Sequence, residues 1–167
     1  MTVGASCLEC GAPMTERKED VKYDSCGLPV VLLGVGVRRC TACDESEVQI
    51  PMVEKLHAVL ADALIRKEGR YAGPEIRFLR SWLGLSGKRL AKWLGVQPET
   101  VSRWEHDRSP IGETHERLLR LIAARRSFYV DYDIATVLEA SWKRQRAKLA
   151  KIRVRATDHS WKAELAA

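Results

Sequence analysis

The stretch LSGKRLAKWLGVQPETVSRWEHDRSP, residues 85–110, has the pattern of two short helices joined by a tight turn. Ser86 is a helix-capping residue type, and the apolar side chains behind it recur at helical spacing: Leu90, Ala91 and Leu94. Gly95 suits the sharp turn, and Pro98 suits the first position of a second helix, where the missing N–H costs nothing. The pattern predicts a helix-turn-helix.

The second of these helices has an apolar side, with Val101 and Trp104, and a polar side. Any small helical bundle would also show periodic leucines. A DNA-binding motif is nevertheless favoured, because the residues lie at the offsets that two crossing helices need. They are the small Ala91, the turn residue Gly95, and the apolar Val96, Val101 and Trp104. An arginine on the polar side can donate a bidentate pair to guanine, a threonine or serine can reach a base edge or a phosphate oxygen, and a glutamate can accept from a cytosine amino group. The candidate DNA-contacting residues of this helix and its start are Gln97, Glu99, Thr100, Ser102 and Arg103.

Three basic residues flank this polar side: Lys88, Arg89 and Arg108. They are candidate phosphate contacts, which give affinity and salt dependence without sequence information. The alternative for any one of them is a solvated surface cation.

The charge of the chain is unevenly distributed. The formal net charge of the 167 residues is +6, yet residues 1–50 carry −3, whereas residues 76–126 carry +6 and residues 127–167 carry +3. A basic excess that begins at the helix-turn-helix is typical of a protein that binds nucleic acid.

Residues 1–50 contain two CxxC pairs, Cys7–Cys10 and Cys40–Cys43. Two tight turns of this kind supply the four sulfurs of a tetrahedral site, and the pattern predicts structural Zn²⁺. Zinc would also stabilise a segment that has few large apolar residues. A redox motif needs only one pair, and four thiolates leave no position for a catalytic water.

Cys26 lies outside both pairs. One interpretation is a small, partly buried thiol. The other is a ligand swap or a redox role.

The remaining pattern predicts a mainly α protein with a small zinc-stabilised, β-rich N-terminal domain. Residues 29–40 and a shorter segment around residues 21–24 are predicted strands, residues 51–74 a helical connector, and residues 75–82 and 113–124 helices on either side of the helix-turn-helix. The predicted domains are residues 1–50, which bind zinc, residues 75–126, which hold the helix-turn-helix, and a basic helical extension, residues 127–167.

The extension has a narrow seam at spacings of three and four, apolar except at Gln145: Ile134, Leu138, Trp142, Gln145, Leu149 and Ile152. The pattern favours an amphipathic helix that packs on its own domain or on a second subunit. The alternative is an arm that contacts DNA.

The motifs LAKWLGV and TVSRWE resemble the XRE or Cro/C1-type helix-turn-helix, a lambda-repressor-like bundle. With the double CxxC before it, the chain up to about residue 125 resembles the MqsA/YgiT-type antitoxins. That resemblance implies a homodimer that represses its own operon from a palindromic site, and a zinc domain that binds a small protein toxin. It also implies that Cys7, Cys10, Cys40 and Cys43 hold zinc and that Arg103 reads DNA while Trp104 packs inside.

The chain departs from the family at two positions. Gly87 stands where many XRE domains have a glutamine that touches the DNA backbone, and Glu99 stands where MqsA-type recognition helices favour asparagine. The operator of the family therefore does not transfer. A stand-alone transcription factor with no toxin partner is the alternative function.

Other classes of protein receive little support from the sequence. We find no Ser-His-Asp arrangement, phosphate-binding glycine loop or HExxH motif, and we expect no enzymatic activity. Five cysteines, four of them in CxxC pairs, and the lack of a signal peptide or a long apolar run predict a cytoplasmic protein.

Overall fold

A computed structural model of the chain describes residues 6–126 and 148–166. The described elements are five strands and five helices, in the order β1 (Met14–Tyr23), β2 (Val30–Cys40), β3 (Ser46–Val48), α1 (Val53–Arg66), α2 (Gly73–Trp82), α3 (Gly87–Leu94), α4 (Pro98–Glu105), α5 (Glu113–Arg126), β4 (Lys151–Ala156) and β5 (Trp161–Ala166). The β-region at the N-terminus and the helical bundle are as predicted. The strands are too large a share for the protein to be called mainly α, and α and β elements are mixed.

The five strands form one sheet in which β2 is central. One edge of β2 pairs with β1 along its length, with a register shift between Glu19 and Val21. The other edge is shared, because β3 pairs antiparallel with Val37–Arg39 and β4 pairs parallel with Val30–Leu33. β5 completes the sheet beside β4.

The prediction of a helix through the C-terminal extension is wrong for residues 151–166. There the chain forms the hairpin β4–β5, and the alternation of buried Ile152 and Val154 with exposed Lys151, Arg153 and Arg155 is the period of a strand. The two buried side chains lie on the inner face of the sheet, within the hydrophobic core, and burial on that face outweighs local helix propensity. The seam residues Ile134, Leu138, Trp142 and Gln145 lie outside the described residues.

One helix joins the sheet to the bundle. α1 buries Leu56, Leu60 and Leu64 completely, and these residues belong to a hydrophobic cluster that runs from the sheet to α5. The C-terminal hairpin is attached to the start of α1, because Trp161 Nε1 donates to the carbonyl of Pro51 at 2.9 Å. The predicted connector is therefore a core element that fixes the bundle against the sheet.

Among the described residues, no helix is long and apolar enough to cross a membrane.

Candidate metal centre and candidate nucleic-acid interface

The two CxxC turns meet at one end of the sheet. Cys40 ends β2 and lies opposite Met14 at the start of β1. The hairpin of β1 and β2 therefore brings the turn before β1 close to the turn after β2. The first turn is closed by a backbone hydrogen bond from Gly11 N to Cys7 O, 2.9 Å, and the second by one from Cys40 N to Glu45 O, 3.0 Å. The 29 residues between the pairs are thus a strand pair that folds back, as the sequence predicted.

The four sulfurs fit a tetrahedral metal site. Cys7, Cys10, Cys40 and Cys43 place their Sγ atoms within 4.8 Å of one another. The Sγ–Sγ distances are 3.7 Å for Cys7–Cys43, 3.4 Å for Cys10–Cys40 and 3.6 Å for Cys10–Cys43. A tetrahedron with Zn–S bonds of about 2.3 Å has edges of roughly 3.8 Å. The cluster can therefore hold a metal ion through four thiolates.

The surroundings of the thiols lower the pKa of Cys40 and raise the pKa values of Cys10 and Cys43. The backbone N–H of Ala42 donates to Cys40 Sγ at 3.3 Å and lowers the pKa of Cys40 to about 6. The backbone N–H of Glu45 acts in the same direction on Cys43, but the neighbouring thiols outweigh it and raise the pKa of Cys43 to about 12. The N–H of Ala12 lowers the pKa of Cys10, as does Cys43, yet the contact with Cys40, together with desolvation and Cys7, leaves this pKa raised. At neutral pH the metal-free cluster therefore keeps protons on Cys10 and Cys43.

Metal affinity will rise with pH for this reason. An ion that binds four thiolates must displace the protons of Cys10 and Cys43, so we expect at least two protons released per ion at pH 7.5. Two released protons make the apparent affinity for Zn²⁺ about a hundredfold tighter per pH unit. Competition with a chelator at pH 7 and pH 8 measures the change. Equal affinity at the two pH values would contradict the pKa assignment.

Cys26 is not part of the cluster. It lies half-buried in the loop after β1 and packs against the hydrophobic core. Burial raises the pKa of its thiol. The geometry agrees with the interpretation of a partly buried thiol and leaves the four-cysteine set as predicted.

The two short helices and the tight turn predicted within residues 85–110 are present in the structure. Ser86 caps α3 by accepting from Arg89 N at 3.2 Å, and Gly95 ends that helix with a φ of 68°, a left-handed conformation that favours glycine. Pro98 is the first residue of α4. The residues predicted to face inward are buried: Leu90, Ala91, Leu94, Val101 and Trp104.

The polar side of α4 faces solvent. Glu99, Ser102 and Arg103 are exposed, as is Gln97 at the N-cap, whereas Thr100 is half-buried. The three candidate phosphate contacts are also exposed: Lys88 and Arg89 on α3 and Arg108 in the loop after α4. The helix-turn-helix thus displays most of the predicted set together, with Thr100 the least accessible member.

Buried polar contacts fix α4 on α2. Glu105 is 8% exposed and accepts two hydrogen bonds from Arg80, at 2.5 and 3.1 Å. Asp107 accepts from the backbone N–H of Gly73 at 2.7 Å. A Cβ atom at Gly73 would lie 2.7 Å from the carbonyl oxygens of Trp104 and Glu105, so only glycine permits this approach. α4 is therefore held at its C-terminal end, which keeps its polar side in a fixed orientation.

These positioning residues were not singled out from the sequence. Arg80 and Glu105 are 25 positions apart, and neither has a periodic signal that distinguishes it from a surface charge. The only available signal for Gly73 is its place before Pro74 at a helix start.

No model of a known protein family matches the chain, and a search of curated proteins finds no match. The similarity to MqsA/YgiT-type antitoxins stays a prediction that rests on the two motifs and their order.

Proposed function

We propose that the protein is a sequence-specific DNA-binding regulator that acts as a homodimer on a palindromic operator. The observation that carries the proposal is the polar side of α4, which is exposed while its opposite side is anchored to the core. Within residues 6–126 and 148–166, no acidic side chain pairs with Arg103. An exposed, unpaired guanidinium on a rigid helix is preorganised to contact a guanine edge.

The basic residues around α4 support the same function. Lys88, Arg89 and Arg108 are exposed on elements that flank the helix. Arg89 also lies over the ring of Trp93, 5.8 Å from its centre, and this contact restricts the guanidinium. Phosphate contacts from such residues would set the affinity and the register on the duplex, and Arg103 would set the sequence.

Arg103→Ala is expected to abolish discrimination between DNA upstream of the protein's own gene and a scrambled duplex. The fold should remain, because Arg103 is exposed. A bidentate contact to guanine contributes about 1–3 kcal/mol of discrimination per site, and a homodimer would lose it twice. Fluorescence anisotropy at one fixed salt concentration measures both affinities.

The matched control is Arg108→Ala, which removes a predicted phosphate contact. It should weaken binding to both duplexes alike and reduce the slope of log K against log salt concentration by about 0.9 for each phosphate that the variant leaves unneutralised. Unchanged discrimination in Arg103→Ala would refute the role of the polar side of α4.

We further propose that the β-region is held by Zn²⁺ and neutralises a small basic protein toxin, which makes the chain an antitoxin that represses its own promoter. The supporting observation is charge, because residues 1–50 carry −3 while the helix-turn-helix region carries +6. The metal end of the sheet also presents a fully exposed Leu8 between two ligands. A segment with a net negative charge and an exposed apolar residue suits a basic protein better than DNA.

The antitoxin role is tested by co-expression with the product of the adjacent gene. Co-elution in size exclusion and relief of growth arrest would support it. Separate elution, with no toxicity of that product, would contradict it and favour a stand-alone zinc-dependent transcription factor.

A further inference from the structure

A cleft of about 510 Å³ lies where the sheet meets the helical bundle. Its walls come from the loop after β1, from α1 and from α2, and we call it the α1–α2 cleft. The volume lies within the range of small-molecule sites in proteins. The lining residues that matter for the argument are Cys26, His57, Arg77, Phe78, Ser81 and Trp82.

The inner part of the cleft is apolar and aromatic. The ring of Phe78 meets that of His57 edge-on, with 6.1 Å between ring centres, and Cys26 lines the same cleft. His57 is held by a hydrogen bond of 2.9 Å to the hydroxyl of Tyr23, and burial lowers the pKa of its imidazole, which favours the neutral ring. Such walls suit the body of a planar apolar ligand.

The rim of the cleft carries a positive charge. Arg77 lines it and is 48% exposed, and no acidic residue is among its lining residues in the described part of the chain. Arg77 Nη2 contacts Nε2 of His106 at 2.8 Å, and Nε lies 3.8 Å from Glu105. A guanidinium has five N–H donors, so Arg77 retains donors for a further anion.

Arg77 also connects the cleft with α4. His106, its partner, caps the C-terminus of α4, and its Nδ1 contacts the carbonyl of Ser102 at 2.7 Å. An anion that binds the remaining donors would shift the guanidinium relative to His106 and Glu105. Glu105 would keep its hydrogen bonds to Arg80 on α2. The contact that changes is therefore the one between Arg77 and His106, at the C-terminus of α4.

We propose that the α1–α2 cleft binds a small organic carboxylate with a planar apolar body, and that Arg77 couples its occupancy to α4. The coupling rests on the proposed DNA-binding function, whereas the site itself does not. The ligand would place its apolar body against Phe78 and Trp82 and present its carboxylate to Arg77.

Calorimetry with 1-naphthoate on the metal-loaded full chain tests the site, with 1-naphthylmethanol as the neutral probe. We expect saturable binding of one naphthoate, at least tenfold tighter than the neutral probe. Arg77→Gln should remove that preference, and Ser81→Trp, at an exposed helical position, should block both probes. Arg17→Gln on β1 is the matched control and should change nothing.

Several results would overturn the site. They are the absence of saturable naphthoate binding, equal affinity for the two probes, and affinity that survives Arg77→Gln or Ser81→Trp. These measurements use no DNA, so they stand or fall apart from the proposed function.

The coupling is tested in a second arm. Saturating naphthoate should change the affinity for operator DNA at least threefold in the wild type and not in Arg77→Gln. An unchanged affinity in the wild type would overturn the coupling. If the protein binds no specific DNA, both the proposed function and the proposed coupling fail. The calorimetry would still show whether the α1–α2 cleft binds the carboxylate.

Discussion

Cys40→Ser is expected to abolish binding of the metal ion that the four cysteines can hold, and to unfold the metal end of the sheet. Apart from the buried side chains of Val35 and Val37 on β2, that end has little else to stabilise it, since β3 has only three residues, all exposed, and most of β1 faces solvent. Structural zinc contributes about 10–16 kcal/mol in small zinc-finger peptides, and the loss of one thiolate forfeits much of it. We expect less than one tenth of an ion per chain and a fall of more than 10 °C in the unfolding midpoint, on the basis of that scale.

The damage should be local. The other end of the sheet is buried independently, through Val30, Leu32 and Ile152 against the core. Hydrogen exchange should therefore show lost protection in β3 and in the metal-proximal halves of β1 and β2, with α2–α5 protected. Cys26→Ser is the matched control, the same chemical change outside the cluster, and should retain the metal. A Cys40→Ser variant with full metal content would show that the four cysteines do not form the site.

Among substitutions in the five described helices, we expect Arg120→Met to cause one of the largest losses in the free energy of unfolding. The Arg120 side chain is fully buried, its Nη1 donates to the carbonyls of Ile65 and Lys67 at 2.9 Å, and its Nη2 donates to that of Gly69 at 2.6 Å. It thereby satisfies carbonyls at and beyond the C-terminal end of α1, which have no intrahelical partner. It also pairs with buried Glu116 at 2.9 Å. Methionine keeps the length of the side chain but leaves a buried carboxylate without its strongest partner, at a cost of about 3–5 kcal/mol.

Denaturant unfolding measures this loss. Arg125→Met, at an exposed position of the same helix, should change the free energy of unfolding by less than about 0.5 kcal/mol. Adding Glu116→Gln to Arg120→Met should recover part of the loss, because it removes the unpaired charge. A loss below about 1 kcal/mol in Arg120→Met would contradict the role given to the buried pair.

The sequence was most informative where local chemistry determines structure. The cap at Ser86, the turn at Gly95 and the first-turn position of Pro98 each act within a few residues, and the structure has all three. The CxxC spacing is also a local signal, because two cysteines separated by two residues in a tight turn can bind one metal ion. These signals predicted the helix-turn-helix arrangement and the cysteine cluster.

Long-range partners were beyond such reasoning. Glu116 and Arg120 look like an ordinary surface pair at a spacing of four, and only the end of α1, more than 50 residues away, makes them a buried one. The hairpin β4–β5 was missed for the same reason. Its alternating pattern is short, and β2, which accepts it as a parallel neighbour, is over 100 residues earlier in the chain.

The central claim is that the exposed side of α4 reads DNA. Selection from a pool of random duplexes tests it most directly, since no operator need be known. We expect enrichment of a palindrome with half-sites about 10 base pairs apart, centre to centre, and loss of that enrichment with Arg103→Ala. A wild-type protein that enriches no sequence over the starting pool would contradict the account.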